Sequence, residues 1–293
     1  MDRTLIPQVR SFNRIAVERA GALNGRFLGR RRPVGEARLL WEIGADGADL
    51  RELRARLGLD SGYLSRLLRA LERDGLVTVG PSSGDGRVRK ATLTDRGREE
   101  WRELDTRSDA FAAGMLEPLG DRQQRELVDA MATVERYLTA SMISVEVEDP
   151  PSRDALYCLE QYFHELEERF DDGFEEDFDV AADARRYEPP AGVLLLARLR
   201  GAAVGCGAIR FDERGFAEVK RMWVAPQVRG LGLGRRLLAD LEARATAAGA
   251  PAVRLDTNRN LTEAIALYRA AGYHEIARYT PEPYAHHWFE KPL

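Results

Sequence analysis

Cysteine is scarce in this chain. Cys158 and Cys206 are the only two in 293 residues, too few for a disulfide framework or a zinc site. Long apolar runs are missing as well, and without a stretch of 18 apolar residues a helical membrane span is excluded. The opening residues, MDRTLIPQVRSFNR, lack the apolar core of a signal peptide, so the reducing cytoplasm is the expected compartment. Histidine offers no metal site. His274, His286 and His287 have neither a cysteine nearby nor ligand spacing.

What is present is the balance of a folded globular protein, 44% hydrophobic and 31% charged. The length suits about two domains. Residues 1–142 carry 25 Lys and Arg against 22 Asp and Glu, net +3; residues 143–293 carry 19 against 26, net −7. A basic half joined to an acidic half points to different partners for each. The prolines of EVEDPPS at 146–152 stop the preceding element. The expected domains are therefore 1–142 and 143–293, with 143–148 as a first strand of the second.

Residues 219–238, VKRMWVAPQVRGLGLGRRLL, carry the strongest local signal. They read as a strand, a glycine turn and a helix. Pro226 closes the strand, because it has no N–H for a ladder. Gly230, Gly232 and Gly234 let the backbone approach a ligand closely. Free N–H groups at the start of the next helix suit a phosphate. A P-loop needs Lys-Ser/Thr after the last glycine, and a dinucleotide fingerprint needs a further glycine; Arg235-Arg236-Leu237 supplies neither.

In the first half, apolar spacing predicts helices over 4–28, 35–44, 50–57 and 61–75. The fourth places Leu64, Leu67, Leu68 and Leu71 on one face. Arg66, Arg69 and Arg73 fall on the other, with Ser61, Gly62, Tyr63 and Ser65 at its N-terminal end. Such a helix fits the major groove, though the same pattern also suits a solvated surface helix. Short strands at 76–79 and 88–93 flank a polar tip, and Arg87, Arg89 and Lys90 begin the return strand. A helix–turn–helix followed by a basic hairpin is a winged helix, whose wing places a cation in the minor groove.

The stretches LGLDSGYLSRLLRALERDGLV at 57–77 and GDGRVRKATLTDRG at 84–97 resemble the MarR family of transcriptional regulators. Asp85-x-Arg87 matches that family's wing, and Leu93-Thr94 with Gly97 matches the start of its next helix. The resemblance spans roughly 5–140. It implies a homodimer on a palindromic double-stranded operator, with Ser61, Gly62, Tyr63, Ser65, Arg66, Arg69, Asp85, Arg87, Arg89 and Lys90 at the DNA. The first helix and the helices across 94–142 pair between subunits in this reading.

In the second half, Arg229-x-x-Gly232-x-Gly234 resembles the acyl-coenzyme A loop of the GNAT N-acetyltransferase superfamily. A second marker follows: Asn260, Ala264, Leu267-Tyr268 and Ala271-Gly272-Tyr273. The fold class implied is multidomain, an α+β winged helix followed by an α/β GNAT domain with a mixed, mostly antiparallel sheet. Acetyl-CoA is the implied cofactor and an amine the acceptor. Met222, Trp223 and Val224 lie along the pantetheine arm, and Arg229, Gly230, Leu231, Gly232, Leu233, Gly234 and Arg235 hold the pyrophosphate. Asn260 contacts the cofactor, although it stands eight residues before Tyr268 where the family commonly has seven. Tyr268 is the general acid. Glu218, on the strand entering the loop, is the candidate base.

Two other readings remain open. The second half could be a non-enzymatic sensor of acetyl-CoA or a metabolite, which modulates DNA binding. Or the winged helix could have become a dimerisation module. Gly232, Gly234 and Tyr268 speak against the first, and the arginine face with Asp85-x-Arg87 against the second.

Overall fold

A computed structural model describes residues 2–19, 32–81, 89–170, 179–212 and 214–293. The chain divides into two compact units, Met1–Met131 and Ala132–Leu293. This division falls within helix α6 (Asp121–Ser141), earlier than the boundary expected near 142, where that helix gives way to strand β4 (Ile143–Glu148).

The first unit opens with α1 (Ile6–Arg19); the rest of the helix expected to 28 lies outside the described residues. Helices α2 (Val34–Ile43), α3 (Leu50–Leu57) and α4 (Ser61–Arg73) follow. Asp49 caps α3 by accepting from Arg51 N and Glu52 N, and Asp60 caps α4 by accepting from Tyr63 N. The leucine stripe of α4 is buried as its spacing required, all four leucines being at most 8% exposed. Burying each contributes about 1.5–3 kcal/mol.

Strands β2 (Val77–Pro81) and β3 (Arg89–Leu93) form the hairpin. A two-residue strand, β1 (Ala48–Asp49), adds to its far edge; nothing in its short sequence announced it. Helix α5 (Asp95–Leu116) starts beneath the hairpin. Thr94 accepts from Gly97 N and donates to the Gly75 carbonyl. A Cβ on Gly97 would lie 1.9 Å from the Leu76 carbonyl oxygen, so this junction closes only on glycine.

The second unit is a seven-stranded sheet with the order β4-β5-β6-β7-β8-β10-β9. It comprises β5 (Gly192–Leu199), β6 (Ala202–Phe211), β7 (Ala217–Val224), β8 (Ala252–Thr257), β9 (His274–Glu275) and β10 (His287–Pro292). Every pairing is antiparallel except β7 with β8, the mixed, mostly antiparallel arrangement expected. Helices α7 (Arg153–Arg169), α8 (Val180–Arg185), α9 (Leu233–Ala247) and α10 (Thr262–Ala270) complete it. The strand expected over 273–279 shrinks to two residues. One further bond to β10, Ile276 N to the Trp288 carbonyl at 2.8 Å, continues past it.

Two irregularities position the site. The β7–β8 ladder holds only at Ala217↔Val253 and Glu218↔Arg254; beyond these pairs the strands part and leave a wedge. On the other edge of β7 the register with β6 shifts, so that Arg221 and Met222 stand between the pairs Ala208↔Lys220 and Cys206↔Trp223. This is a β-bulge, and Arg221 adopts a left-handed φ of 55° within it. Gly207 lies opposite, where a Cβ would meet Met222 Sδ at 2.7 Å.

Candidate functional site

A cavity of about 470 Å³ lies beside the end of β7 that has parted from β8. One wall is Met222, Trp223 and Val224 with the glycine loop. The opposite wall is α10, including Tyr268, and α7 spans the third side. The loop follows from its sequence. Gly230 and Gly232 take φ of 75° and 80°, values that L side chains rarely adopt. Gly232 is the N-cap of α9 and no side chain caps that end. The first intrahelical bond runs from Arg236 N to Gly232 O at 3.1 Å, so the N–H groups of Leu233, Gly234 and Arg235 have no acceptor within the helix. Together with the helix dipole they form an anion site. Gly234 is different: its φ is not left-handed, and a Cβ there would make ordinary contact with Leu267 Cδ2 at 3.4 Å.

The cavity brings together Met222, Trp223, Val224, Arg229, Gly230, Gly232, Leu233, Gly234, Arg235 and Tyr268. Leu231 is not among its lining residues; its side chain packs partly buried on the core. Asn260 is not either. Its carboxamide donates to the Arg169 carbonyl at 2.8 Å, tying the end of α7 to the turn before α10. Tyr268 is buried, 5% exposed. Burial, reinforced by Tyr162 and Asp256, pushes its hydroxyl above the ordinary phenol range.

Glu218 does not line the cavity. Arg210 binds its carboxylate, Lys220 Nζ approaches at 3.3 Å, and the Tyr279 hydroxyl donates to it at 3.2 Å. Burial opposes its charge, but Lys220 and Arg210 outweigh burial and hold its pKa below the usual carboxylate range. A carboxylate held charged by Arg210 on β6 and by Lys220 is a poor proton acceptor. Asp256, two residues beyond the last β7–β8 pair, behaves oppositely. Burial raises its pKa, with Glu218 and Glu282 adding and its partner Lys220 opposing.

Helix α7 is foreseen by the sequence over 153–170, but none of the expected site residues lies on it. Tyr162, Glu165, Leu166 and Arg169 all line the cavity and stand at i, i+3, i+4 and i+7. The signal was available, because that helical face mixes two opposite charges with a tyrosine where a purely structural helix would be apolar.

In the first unit, Ser61, Gly62, Tyr63, Ser65, Arg66 and Arg69 are all exposed. The Arg66 guanidinium lies 5.4 Å from the Tyr63 ring centre, and Arg69 Nε donates to the Ser65 carbonyl at 3.2 Å. On the return strand Arg89 is exposed and Lys90 half-buried. Asp85 and Arg87 lie outside the described residues.

Comparisons with known proteins agree with this division. The Acetyltransferase (GNAT) family matches residues 159–273, and the MarR family matches residues 30–88. An IAA acetyltransferase of Azospirillum brasilense is 38% identical over 149 residues, 50% of this chain and 95% of that protein. The HTH-type transcriptional regulator YdgJ of Bacillus subtilis, itself uncharacterized, is 30% identical over 88 residues, so the match spans 54% of its length. The crystal structure of a GNAT-family acetyltransferase of Staphylococcus aureus Mu50 is 18% identical with a TM-score of 0.45, covering 52% of this chain and 99% of that one. The chain belongs to the GNAT acetyltransferase family, and it carries a MarR-type regulator domain fused ahead of the acetyltransferase.

That family takes acetyl-CoA as its acyl donor. The residues present fit such a group: an uncapped helix N-terminus for its phosphates and the unpaired edge of β7 for its extended arm. No described helix is long and apolar enough to cross a membrane.

Proposed function

We propose that the protein binds a palindromic DNA operator as a homodimer and acetylates an amine with its second unit, in the cytoplasm. The observation that carries the enzymatic reading is that the uncapped glycine loop and the Tyr268 side chain line one cavity. Acetyl-CoA, when bound, supplies the thioester. Backbone N–H groups at 233–235 hold its phosphates. Tyr268 keeps its proton at physiological pH and gives it from Oη to the leaving sulfur. An alkylamine with a pKa near 10.4 is about 3 units short of neutral at pH 7, which costs roughly 4–5 kcal/mol. Asp256 is the carboxylate we assign to remove that proton, in place of Glu218. Like Glu218 it lies outside the cavity lining and binds Lys220, but burial raises its pKa where that of Glu218 is lowered, which suits a proton acceptor.

The DNA reading rests on the exposed arginine face of α4. The dimer rests on apolar surface left uncovered: α1 exposes Ile6, Val9, Phe12 and Ile15, and α6 exposes Val128, Met131 and Leu138 and buries no residue. Such faces on a protein of this size mark contact surfaces.

Coenzyme A release over a panel of amino acids, polyamines and aminoglycosides tests the enzyme. Turnover of at least one amine is expected; tight acetyl-CoA binding with no turnover on any supports the sensor reading instead. Sedimentation with a labelled fragment of the gene's own upstream region tests the rest, two chains per duplex being expected.

A further inference from the structure

We propose that α7 acts as a caliper for the cofactor pocket: Glu165 and Arg169 set the distance between its two walls, and Arg229 acts through Glu165 instead of by gripping phosphate. The proposal rests on the reading of this cavity as the coenzyme A site. Past Glu218↔Arg254 no ladder pair joins β7 to β8, so the backbone does not fix how far the wedge opens. Side chains of α7 do. Toward the first wall, Glu165 Oε2 accepts from Trp223 Nε1 at 3.1 Å and from Arg229 Nη2 at 2.5 Å. Toward the second, Arg169 Nη2 donates to the Asn260 carbonyl and to Glu263 Oε2, each at 2.8 Å. The Asn260 carboxamide returns a bond to the Arg169 carbonyl at 2.8 Å. The two halves meet where Arg169 Nη1 donates to Glu165 Oε1 at 3.2 Å. One helix, through two side chains four residues apart, thus bridges β7 and its loop to the start of α10.

Arg229 changes meaning in this frame. Its Nε donates to the Val224 carbonyl at 2.9 Å and its Nη2 to Glu165. Two of its donor positions therefore hold the loop to the strand and to α7. The phosphates are then left to the backbone N–H groups of the α9 start, whose positions the caliper fixes. Arg229 and Arg169 are positioning residues in this scheme.

The test is calorimetric titration of coenzyme A into the full chain, well below the melting temperature, for wild type, Glu165→Gln, Arg229→Gln and the double variant. Each single variant is expected to weaken binding about tenfold, and the double variant no more than about twofold beyond either, because both break one link. The salt dependence of binding should be the same in wild type and Arg229→Gln. Kinetically the loss should appear in KM for acetyl-CoA, with kcat kept. Losses that multiply in the double variant, or a salt slope that flattens with Arg229→Gln, mean direct phosphate contact and overturn the proposal while leaving the pocket reading intact. Should Glu165→Gln fold poorly, Glu263→Gln replaces it, since that side chain is 75% exposed; it removes the ion pair among the links to the second wall and should weaken binding about threefold. No effect of Glu263→Gln would likewise overturn the caliper. Failure of the wild type to bind coenzyme A would remove the pocket reading and the proposal together.

Discussion

Arg221 and Asp183 meet in a two-point ion pair, Nε to Oδ2 at 2.7 Å and Nη2 to Oδ1 at 2.8 Å. The arginine sits in the β-bulge beside the cavity, and the aspartate comes from α8. The same guanidinium lies 5.6 Å from the Tyr162 ring centre and 5.0 Å from that of Phe163. One side chain therefore fastens two helices to the bulged strand. Asp183 is 4% exposed, and a buried carboxylate needs such a partner.

Replacing Asp183 by Ala removes the carboxylate that pairs with Arg221, at a site where the arginine side chain is only 15% exposed. The expected loss is about 3–5 kcal/mol, read as a shift of the urea midpoint for the second unit. A loss under about 1 kcal/mol would show the pair to be dispensable.

Tyr268→Phe keeps the ring packing against Tyr273 and Phe289, at 6.0 and 6.2 Å between centres, and removes the proton donor. The expected effect is a fall in kcat of about 10²–10⁴ with the KM for acetyl-CoA little changed. Because burial raises the Tyr268 pKa, the protonated, active form persists beyond the ordinary phenol range near pH 10. Wild-type kcat should hold through that pH; a descending limb near 10 that vanishes in Tyr268→Phe would contradict the assignment.

Glu218 and Asp256 separate by pH. The folded pKa of Glu218 is depressed. Its stabilisation is therefore present above the unfolded value, about 4.3, and is lost as pH falls through the folded one. The gap in melting temperature between wild type and Glu218→Gln should be widest near neutrality and close in acid. Asp256→Asn should instead slow acetylation of alkylamines at pH 7 about 10²-fold or more, and recover as rising pH deprotonates the amine. Equal loss at every pH points to a structural role for Asp256.

Arg66→Ala should weaken operator binding by about 1–3 kcal/mol if it reads a base, or lower the salt slope by about 1 if it holds a phosphate. Acetyl transfer should be unchanged in either case. Gel shifts at two salt concentrations distinguish the outcomes, and unaltered DNA affinity would remove α4 from the interface.

Gly97→Ala tests the winged-helix junction. The added methyl has nowhere to go against the Leu76 carbonyl. Unfolding of the first unit should come at lower urea by more than about 2 kcal/mol, with the second unit unaffected.

Local chemistry determined much of this protein. The leucine stripe of α4, its Asp60 cap and the glycine loop are all short-range patterns. Each residue's place follows from neighbours within a few positions, so the two families and the β7 and glycine-loop residues of the cavity could be read from the chain. The tertiary structure decided what depends on strands that are distant in sequence. That Glu218 and Asp256 share Lys220, and that Arg210 from β6 claims only Glu218, turns on how β6, β7 and β8 pair. The partners of Glu165 and Arg169 come from residues 58 to 94 positions away. An ion pair across such a span leaves no periodicity in the sequence, because it is fixed by how the sheet splays and how α7 lies across it.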